Sequence, residues 1–270
     1  MKLGLQLYSV REELEKDFFG TLEKVKALGY EGCEFAGLYG HSPAEINRKC
    51  SELGLIPISA HVTYDELAKD TDNVVKMYKE IGCEYIAVPY LAEDLRYGKE
   101  KYPEVVENIK KIGKACKENG IVLLYHNHDF EFAKDENGCY VLDALYNEVD
   151  KELLQTEIDT CWVNVAGENP CDYVRKYSGR APVVHLKDFV GEKNANMYEL
   201  IGIESKKVEA KNTFEYRPLG YGKQDVQAIV DAAKDAGAVW VIAEQDNPSM
   251  GLSRMECAEK SIEYMKNINY

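Results

Sequence analysis

Short apolar runs alternate along the chain with longer segments in which apolar residues recur every three or four positions. The first pattern is typical of buried β-strands and the second of amphipathic helices. Their regular alternation indicates βα units built on a parallel sheet. Eight strands are predicted, over residues 3–9, 30–36, 55–61, 84–90, 121–128, 153–159, 182–188 and 239–245.

Helix boundaries carry clear start and stop signals. Ser42 and Pro43 are placed to begin one helix, and Gly54 follows its end as a C-terminal cap would. No strand leads into a GxGxxG turn, so a closed barrel is favoured over an open doubly wound sheet. The fold class is therefore predicted to be α/β, a (β/α)₈ TIM barrel with a single domain over residues 1–270. The predicted helices cover residues 17–28, 43–53, 72–81, 102–119, 141–148, 225–236 and 253–268.

Composition narrows the range of partners. The formal net charge of −14 disfavours a nucleic acid or an anionic membrane, since both require a basic face, and it leaves a small molecule as the expected ligand. The first residues are too polar for a signal peptide and no apolar run is long enough to span a membrane, so we expect a cytoplasmic protein. The eight cysteines form no CxxC pair and are expected to be reduced, mostly as small core residues.

In a (β/α)₈ barrel the chemistry is carried out at the C-terminal ends of the strands. We therefore expect the polar residues at those ends to converge on one mouth. Five of them are candidates for substrate binding, namely Gln6, Tyr8, Glu34, His61 and Lys187. The other polar strand-end residues are His126, His128, Glu131, Asp159, His185, Glu244, Gln245 and Asp246.

Four of these residues form a candidate metal site: Glu131, Asp159, His185 and Glu244, from strands five to eight. Carboxylates are costly at an apolar barrel mouth unless a cation compensates them. A mixed oxygen and nitrogen set suits Mn²⁺, Mg²⁺, Co²⁺ or Zn²⁺. By itself, His185 would be read as a core histidine bonded to a backbone carbonyl. Glu131 lies beyond its strand and reaches the ion only if the following loop folds back.

The run from Tyr125 to Phe132 contains the candidate bases. Strand alternation puts His126 and His128 on one side, and His128 is the preferred general base because a neutral imidazole titrates near working pH. Lys187 shares a face with His185, and it either holds a substrate oxygen or phosphate or pairs with an acidic ligand.

Gly220 and Gly222 have the spacing of a phosphate loop, but a single pair of glycines is a weak signal. Asp225 follows them in a position to cap the next helix, so a turn is the better interpretation. The connection from residue 189 to 223 is longer and more polar than the others, and a lid or a contact with a second subunit of a homo-oligomer are its candidate roles.

Four segments together resemble a known family: GLQLYSVRE at residues 4–12, HNHDFEF at 126–132, HLKD at 185–188 and PLGYG at 218–222. They are similar to the sugar phosphate isomerase/epimerase family of xylose isomerase-like TIM barrels, which is related to ketose 3-epimerases and inosose dehydratases. The resemblance implies one divalent ion, often manganese, held by Glu131, Asp159, His185 and Glu244. Related ketose epimerases carry the first glutamate within strand five, where this chain has Tyr125 and His126, so abstraction of the proton by a histidine fits this sequence better.

The leading functional hypothesis is metal-assisted enolisation of a sugar or sugar phosphate, in which His128 or Glu244 removes a proton beside a carbonyl. Return of the proton gives isomerisation or epimerisation. Loss of a β-substituent gives a lyase, either inosose dehydratase-like or eliminating a 3-keto-glycoside. Metal-dependent phosphodiester hydrolysis is disfavoured, because it needs a larger set of histidine and carboxylate ligands for several metals and a basic surface for DNA. The chain has only five histidines and a net charge of −14. A sugar-binding barrel without catalysis remains a third possibility.

Overall fold

All eight predicted barrel strands are present in a computed structural model, which describes residues 1–193, 197 and 214–270. The barrel strands are β1 Lys2–Gln6, β2 Gly32–Phe35, β3 Ile56–Ala60, β4 Tyr85–Val88, β5 Val122–His126, β6 Gln155–Asp159, β7 Val183–Leu186 and β10 Trp240–Ala243. A separate hairpin is formed by β8 Asp188–Val190 and β9 Glu215–Arg217. The helices are α1 Arg11–Lys16, α2 Phe18–Leu28, α3 Pro43–Leu53, α4 Tyr64–Lys69, α5 Thr71–Ile81, α6 Tyr102–Glu118, α7 Val141–Glu148, α8 Thr160–Val165, α9 Pro170–Lys176, α10 Val226–Ala236 and α11 Arg254–Met265.

The barrel strands are parallel and lie in the order β3-β2-β1-β10-β7-β6-β5-β4. Two backbone hydrogen bonds join the ends of this sheet. The N–H of Glu84 donates to the carbonyl of Ile58, and the N–H of Val62 donates to the carbonyl of Ala87, both at 3.0 Å. The predicted (β/α)₈ barrel is therefore confirmed.

The predicted caps form at the helix ends. Ser42 Oγ accepts the N–H of Glu45, and the Glu45 carboxylate accepts the N–H of Ser42 at 3.0 Å, so α3 begins with a capping box. Gly54, after the helix, has a φ of 63°, a left-handed conformation that glycine adopts without steric cost. Four short helices were not predicted (α1, α4, α8 and α9), because segments of six or seven residues are too short to show a helical period.

Apolar side chains fill the interior of the barrel away from the C-terminal ends of its strands. Gly32 leaves room for this packing, since a Cβ there would lie 2.7 Å from Cγ1 of Ile58. A larger apolar core lies between the strands and the surrounding helices. Polar side chains are thereby confined to the other end of the barrel. The residues of the inner cluster are Ile58, Tyr85, Ala87, Leu124, Val183, Trp240 and Ile242.

The long connection after β7 contributes the antiparallel pair β8 and β9. Residues 194–196 and 198–213 lie outside the described part of the chain, and so does most of the segment for which a lid or subunit contact was predicted. Six of the eight cysteines are buried and all are free thiols, which confirms their interpretation as mainly core residues. In the part of the chain that is described, none of the helices combines the length and apolar character needed to cross a membrane.

Candidate active site and metal centre

Polar residues replace the apolar cluster at the C-terminal ends of the barrel strands. They form the floor of a cavity of about 790 Å³. Six of the predicted site residues line it: Tyr8, His61, His126, His128, Lys187 and Glu244. Asp246, two residues after Glu244, also lines it, as do aromatic side chains such as Tyr39 and Tyr90.

Beneath this floor lie two fully buried carboxylates, Glu34 and Glu157. His61 Nε2 is 3.1 Å from Glu34 Oε1 and 2.7 Å from Glu157 Oε2. Gln6 Nε2 and Ser59 Oγ donate hydrogen bonds to Glu34. Gln6 and Glu34 were predicted to bind substrate, but they do not line the cavity, and their contacts instead hold His61 from below. Glu157 was not predicted.

The rings of His126 and His185 stand between this lower pair and a second set of carboxylates. His126 Nδ1 lies 3.1 Å from Glu157 Oε2, and its Nε2 lies 3.7 Å from Asp159 Oδ2. His185 Nδ1 lies 3.0 Å from Glu244 Oε2, and its Nε2 lies 2.9 Å from Glu34 Oε1. Each imidazole therefore faces a carboxylate on both sides.

Asp159 has one carboxylate oxygen fixed by the backbone and one directed into the site. Its Oδ1 accepts the N–H groups of Cys161 at 2.8 Å and Trp162 at 3.1 Å, and so caps α8. Its Oδ2 lies 3.2 Å from the ammonium of Lys187. Among the described residues, no donor is aligned for a hydrogen bond to this oxygen.

Lys187 is surrounded by acidic groups. Its Nζ is 2.9 Å from Glu244 Oε2 and 2.9 Å from Asp246 Oδ2, in addition to its contact with Asp159. Burial by itself would lower the pKa of Lys187, but the three carboxylates outweigh it and raise the pKa well above the usual value. Lys187 is therefore an ammonium ion, and of the two roles left open, pairing with acidic groups is the one the geometry shows.

The donor set fits a divalent cation. Ligand atoms of His126, Asp159, His185 and Glu244 all lie within 4.8 Å of one another. A second group, in which His61 and Glu157 join the same two histidines, meets the same criterion. In the described part of the site, five buried carboxylates outnumber the Lys187 ammonium and the imidazole of His61, and a cation would compensate the excess negative charge. The mixed nitrogen and oxygen set suits Mn²⁺, Co²⁺, Zn²⁺ or Mg²⁺.

The structure does not bring Glu131 to these ligand atoms. Its Oε1 accepts from the Tyr125 hydroxyl at 2.6 Å, and its Oε2 accepts the N–H of His128 at 2.7 Å. It lines a separate cavity of about 250 Å³ beside Arg96. The side chain that β5 contributes to the cluster is that of His126.

The histidines differ in their electrostatic surroundings. Burial lowers the pKa of His61, but Glu34 and Glu157 outweigh this effect and raise the pKa to about 10. Burial and, next, Lys187 hold the pKa of His128 well below its usual value. Burial likewise holds the pKa of His126 well below its usual value, so the cavity is lined by His61, which favours the protonated form, and by His126 and His128, which favour the neutral form.

His128 lies two residues beyond β5 and is held by aromatic side chains. Its ring stacks on Phe130 with centroids 5.5 Å apart and an interplanar angle of 10°. The ring of Trp162 lies 5.0 Å away on a tilted plane. No described group is aligned for a hydrogen bond to His128 Nδ1, although this atom is buried. A fixed neutral ring of this kind is suited to accept a proton from a ligand in the cavity.

Comparison with known proteins agrees with the barrel fold. The model of a family described as xylose isomerase-like TIM barrel matches residues 22–268. Among curated proteins, an inosose dehydratase of Clostridium perfringens (strain ATCC 13124) is 27% identical over 276 residues, which cover 93% of this chain and 90% of the relative.

Two solved structures share the fold. A sugar phosphate isomerase/epimerase from Parabacteroides distasonis superposes with a TM-score of 0.78 at 19% identity, covering 98% of each chain. The IOLI protein, whose crystal structure holds a zinc atom, gives a TM-score of 0.71 at 17% identity, covering 99% of this chain and 97% of its own. At these identities the likeness establishes the fold alone.

Proposed function

The chain belongs to the xylose isomerase-like TIM barrel family, and from this premise we propose that it is a divalent-metal-dependent enzyme that removes a proton beside a carbonyl group of a carbohydrate. One observation carries the proposal. The ligand atoms of His126, Asp159, His185 and Glu244 converge at the floor of a large cavity, and His128 and Lys187 line the same cavity.

His126, Asp159, His185 and Glu244 would hold the ion. When bound, the ion supplies a Lewis acid that polarises a carbonyl oxygen and acidifies the adjacent C–H. The zinc atom in the similar IOLI barrel supports a divalent ion in this site. Manganese is the ion we propose, ahead of magnesium, cobalt and zinc.

His128 is our candidate for the general base. Its ring lines the cavity, and its orientation is fixed by Phe130 and Trp162. Glu244 is the alternative base, but its Oε2 already contacts Lys187 at 2.9 Å and His185 at 3.0 Å. These contacts favour a binding role for Glu244 and proton transfer by His128.

Other lining groups would orient the substrate. Besides pairing with its acidic neighbours, the ammonium of Lys187 would attract a substrate oxygen, and His61 would offer a ring nitrogen to a hydroxyl group, since both residues line the cavity. The rings of Tyr8 and Tyr90 can pack against the apolar face of a sugar. An Arg11 guanidinium 4.0 Å from the centroid of the Tyr8 ring holds that ring in place.

Two outcomes of proton removal are chemically open. Isomerisation or epimerisation returns a proton to carbon and needs no leaving group, and we place it first. Dehydration is the second candidate, favoured by the inosose dehydratase that matches 93% of the chain. The histidine at the β5 position also favours it, because an exchange of protons between two carboxylates would need a glutamate there.

The experiment combines metal analysis with hydrogen exchange. Protein purified without added metal is assayed for bound divalent ions and then incubated in D₂O with ketoses, inososes and 3-keto-glucosides, followed by NMR. We expect near one equivalent of ion and deuterium in one substrate class, and the product spectrum separates an isomer or epimer from a dehydrated or eliminated product. Absence of both ion and exchange, with sugar binding retained, would contradict the proposal and indicate a binding protein.

A further inference from the structure

The two histidines that both candidate ion sites share connect a lower and an upper set of carboxylates. His126 turns Nδ1 towards Glu157 and Nε2 towards Asp159. A neutral imidazole carries a proton on one ring nitrogen and a lone pair on the other. The partner that accepts the proton therefore decides which side of the ring can bind a cation.

The two candidate sites cannot both be filled without cost. Each contains His126 and His185, so two ions would require both imidazoles to bridge cations and to lose their remaining ring protons. We therefore treat the two sites as alternatives for a single ion. One contains Asp159 and Glu244, and the other contains His61 and Glu157.

Existing hydrogen bonds distinguish the two sites. Glu157 Oε2 already lies 2.7 Å from His61 Nε2 and 3.1 Å from His126 Nδ1, both with hydrogen-bond geometry. Asp159 Oδ2, by contrast, has no aligned donor among the described residues, while its other oxygen is held by the backbone. Glu157 Oε1 also has no hydrogen-bond partner among the described residues, so a free oxygen does not separate the two acids. What separates them is that a cation in the lower site would displace the hydrogen bonds of His61 and His126 with Glu157, whereas neither ring is hydrogen-bonded to Asp159.

We propose that Glu157 is a positioning residue that accepts the Nδ1 proton of His126 and thereby directs the Nε2 lone pair of His126 towards a divalent ion beside Asp159. The inference rests on the proposed function for the presence of the ion. It assigns a role to a buried acid that does not touch the ion, and it makes a histidine the ligand that β5 contributes. Glu157 is fully buried and His126 nearly so, which keeps water from competing for this bond.

Isothermal titration of chelator-treated protein with Mn²⁺, without substrate, tests the assignment. The wild-type protein should bind one ion, and Glu157→Gln should bind one ion about 10- to 100-fold more weakly, the usual effect of losing such a partner. Asp159→Asn should lose far more affinity. Glu131→Gln is the matched control, since it also changes a buried carboxylate near β5 but one that contacts neither the ligand rings nor Asp159, and its affinity should be unchanged.

A double-mutant cycle gives the decisive readout. In the His126→Ala background, Glu157→Gln should have no further effect on Mn²⁺ affinity, because the ring it orients is gone. The absorption spectrum of bound Co²⁺ should also change in Glu157→Gln and stay unchanged in Glu131→Gln. These results would support the role independently of turnover.

Three results would overturn the role of Glu157. Glu157→Gln could bind Mn²⁺ as tightly as wild type, or it could weaken Mn²⁺ binding as much in the His126→Ala background as in wild type. Alternatively, Glu157→Gln could lose Mn²⁺ binding completely while Asp159→Asn still binds the ion. The last result would place the ion in the lower site. A wild-type protein that binds no divalent ion would overturn the proposed function as well, so the two failures are distinguishable.

Discussion

The carboxylate of Asp188 accepts the backbone N–H of Gly222 at 2.8 Å. The N–H groups of Phe189, Gly220 and Gln224 donate to the same carboxylate at 2.9 to 3.0 Å. A Cβ at Gly222 would lie 2.1 Å from Asp188 Oδ1, so glycine is required for this approach. The PLGYG segment is thus a turn that encloses a carboxylate of its own chain, as the turn interpretation of these glycines predicted.

Asp188→Ala should destabilise the protein strongly. Four backbone N–H groups would lose their acceptor, and unpaired buried donors cost about 1–3 kcal/mol each without adding fully, so we expect a loss of about 3 kcal/mol in the free energy of unfolding. Urea denaturation with a chelator present measures it. Asp225→Ala, which removes the side-chain cap of α10, is the control and should cost about 1 kcal/mol. Equal losses in the two variants would contradict the structural role of Asp188.

The elements that the sequence predicted well are helices of two or more turns and strands that form a continuous apolar run. α3 and α7 have the predicted bounds, because each shows a helical period over eight or more residues, and α3 also has caps at both ends. Strand ends were predicted too long. β5, for example, ends at His126 and not at His128. The sequence does not show whether a polar residue near the end of a strand still forms backbone hydrogen bonds with the neighbouring strand.

The candidate site was predicted in part. Asp159, His185 and Glu244 meet as expected, since the ends of parallel barrel strands share one mouth. Glu157 was overlooked, although it lies two residues before Asp159 on the same strand and so faces the same side. The position of Glu131 depends on how the loop after β5 folds onto Tyr125, a tertiary contact that no strand pattern encodes.

Lys187→Met should separate ion binding from turnover. The ammonium contacts Asp159, Glu244 and Asp246. Its removal makes the net charge of the site more negative, so Mn²⁺ binding should be at least as tight as in wild type. Substrate exchange should fall because the oxygen-orienting charge is lost. Titration calorimetry and the D₂O assay measure the two effects. Lys193→Met, at an exposed lysine paired with Asp129, is the control, and loss of Mn²⁺ binding only in Lys187→Met would refute the argument.

Glu131 should make stability depend on pH. Burial raises the pKa of Glu131 to about 8, against the combined opposite effect of Tyr125, the His128 N–H and Arg96. The unfolded chain ionises this group near pH 4.5, whereas the folded protein keeps it neutral up to about pH 8. The contribution of neutral Glu131 to the free energy of unfolding is therefore fully present below pH 4.5. It is lost progressively as the pH rises to about 8, by at most about 1.4 kcal/mol per pH unit.

The variant Glu131→Gln isolates this contribution, since the amide has the same shape and does not titrate. Urea unfolding of both proteins at intervals from pH 5 to pH 8 should show wild type losing stability relative to Glu131→Gln across that range. A constant difference between the two proteins would show that the folded-state pKa of Glu131 is not raised.

His128→Gln should abolish proton transfer and leave ion binding intact. The ring of His128 lines the cavity but belongs to neither ion cluster, so Mn²⁺ affinity should stay within about threefold of wild type. Deuterium exchange into substrate should fall by about 10²–10⁴-fold, the usual contribution of a positioned general base. His41→Gln is the control, because His41 also lines the cavity but packs on Phe18 and Phe19 with centroids 4.8 and 4.5 Å away. If His128→Gln retained exchange while Glu244→Gln lost it with the ion still bound, Glu244 would be the base, and the contacts of Lys187 and His185 with Glu244 would then have to open during turnover.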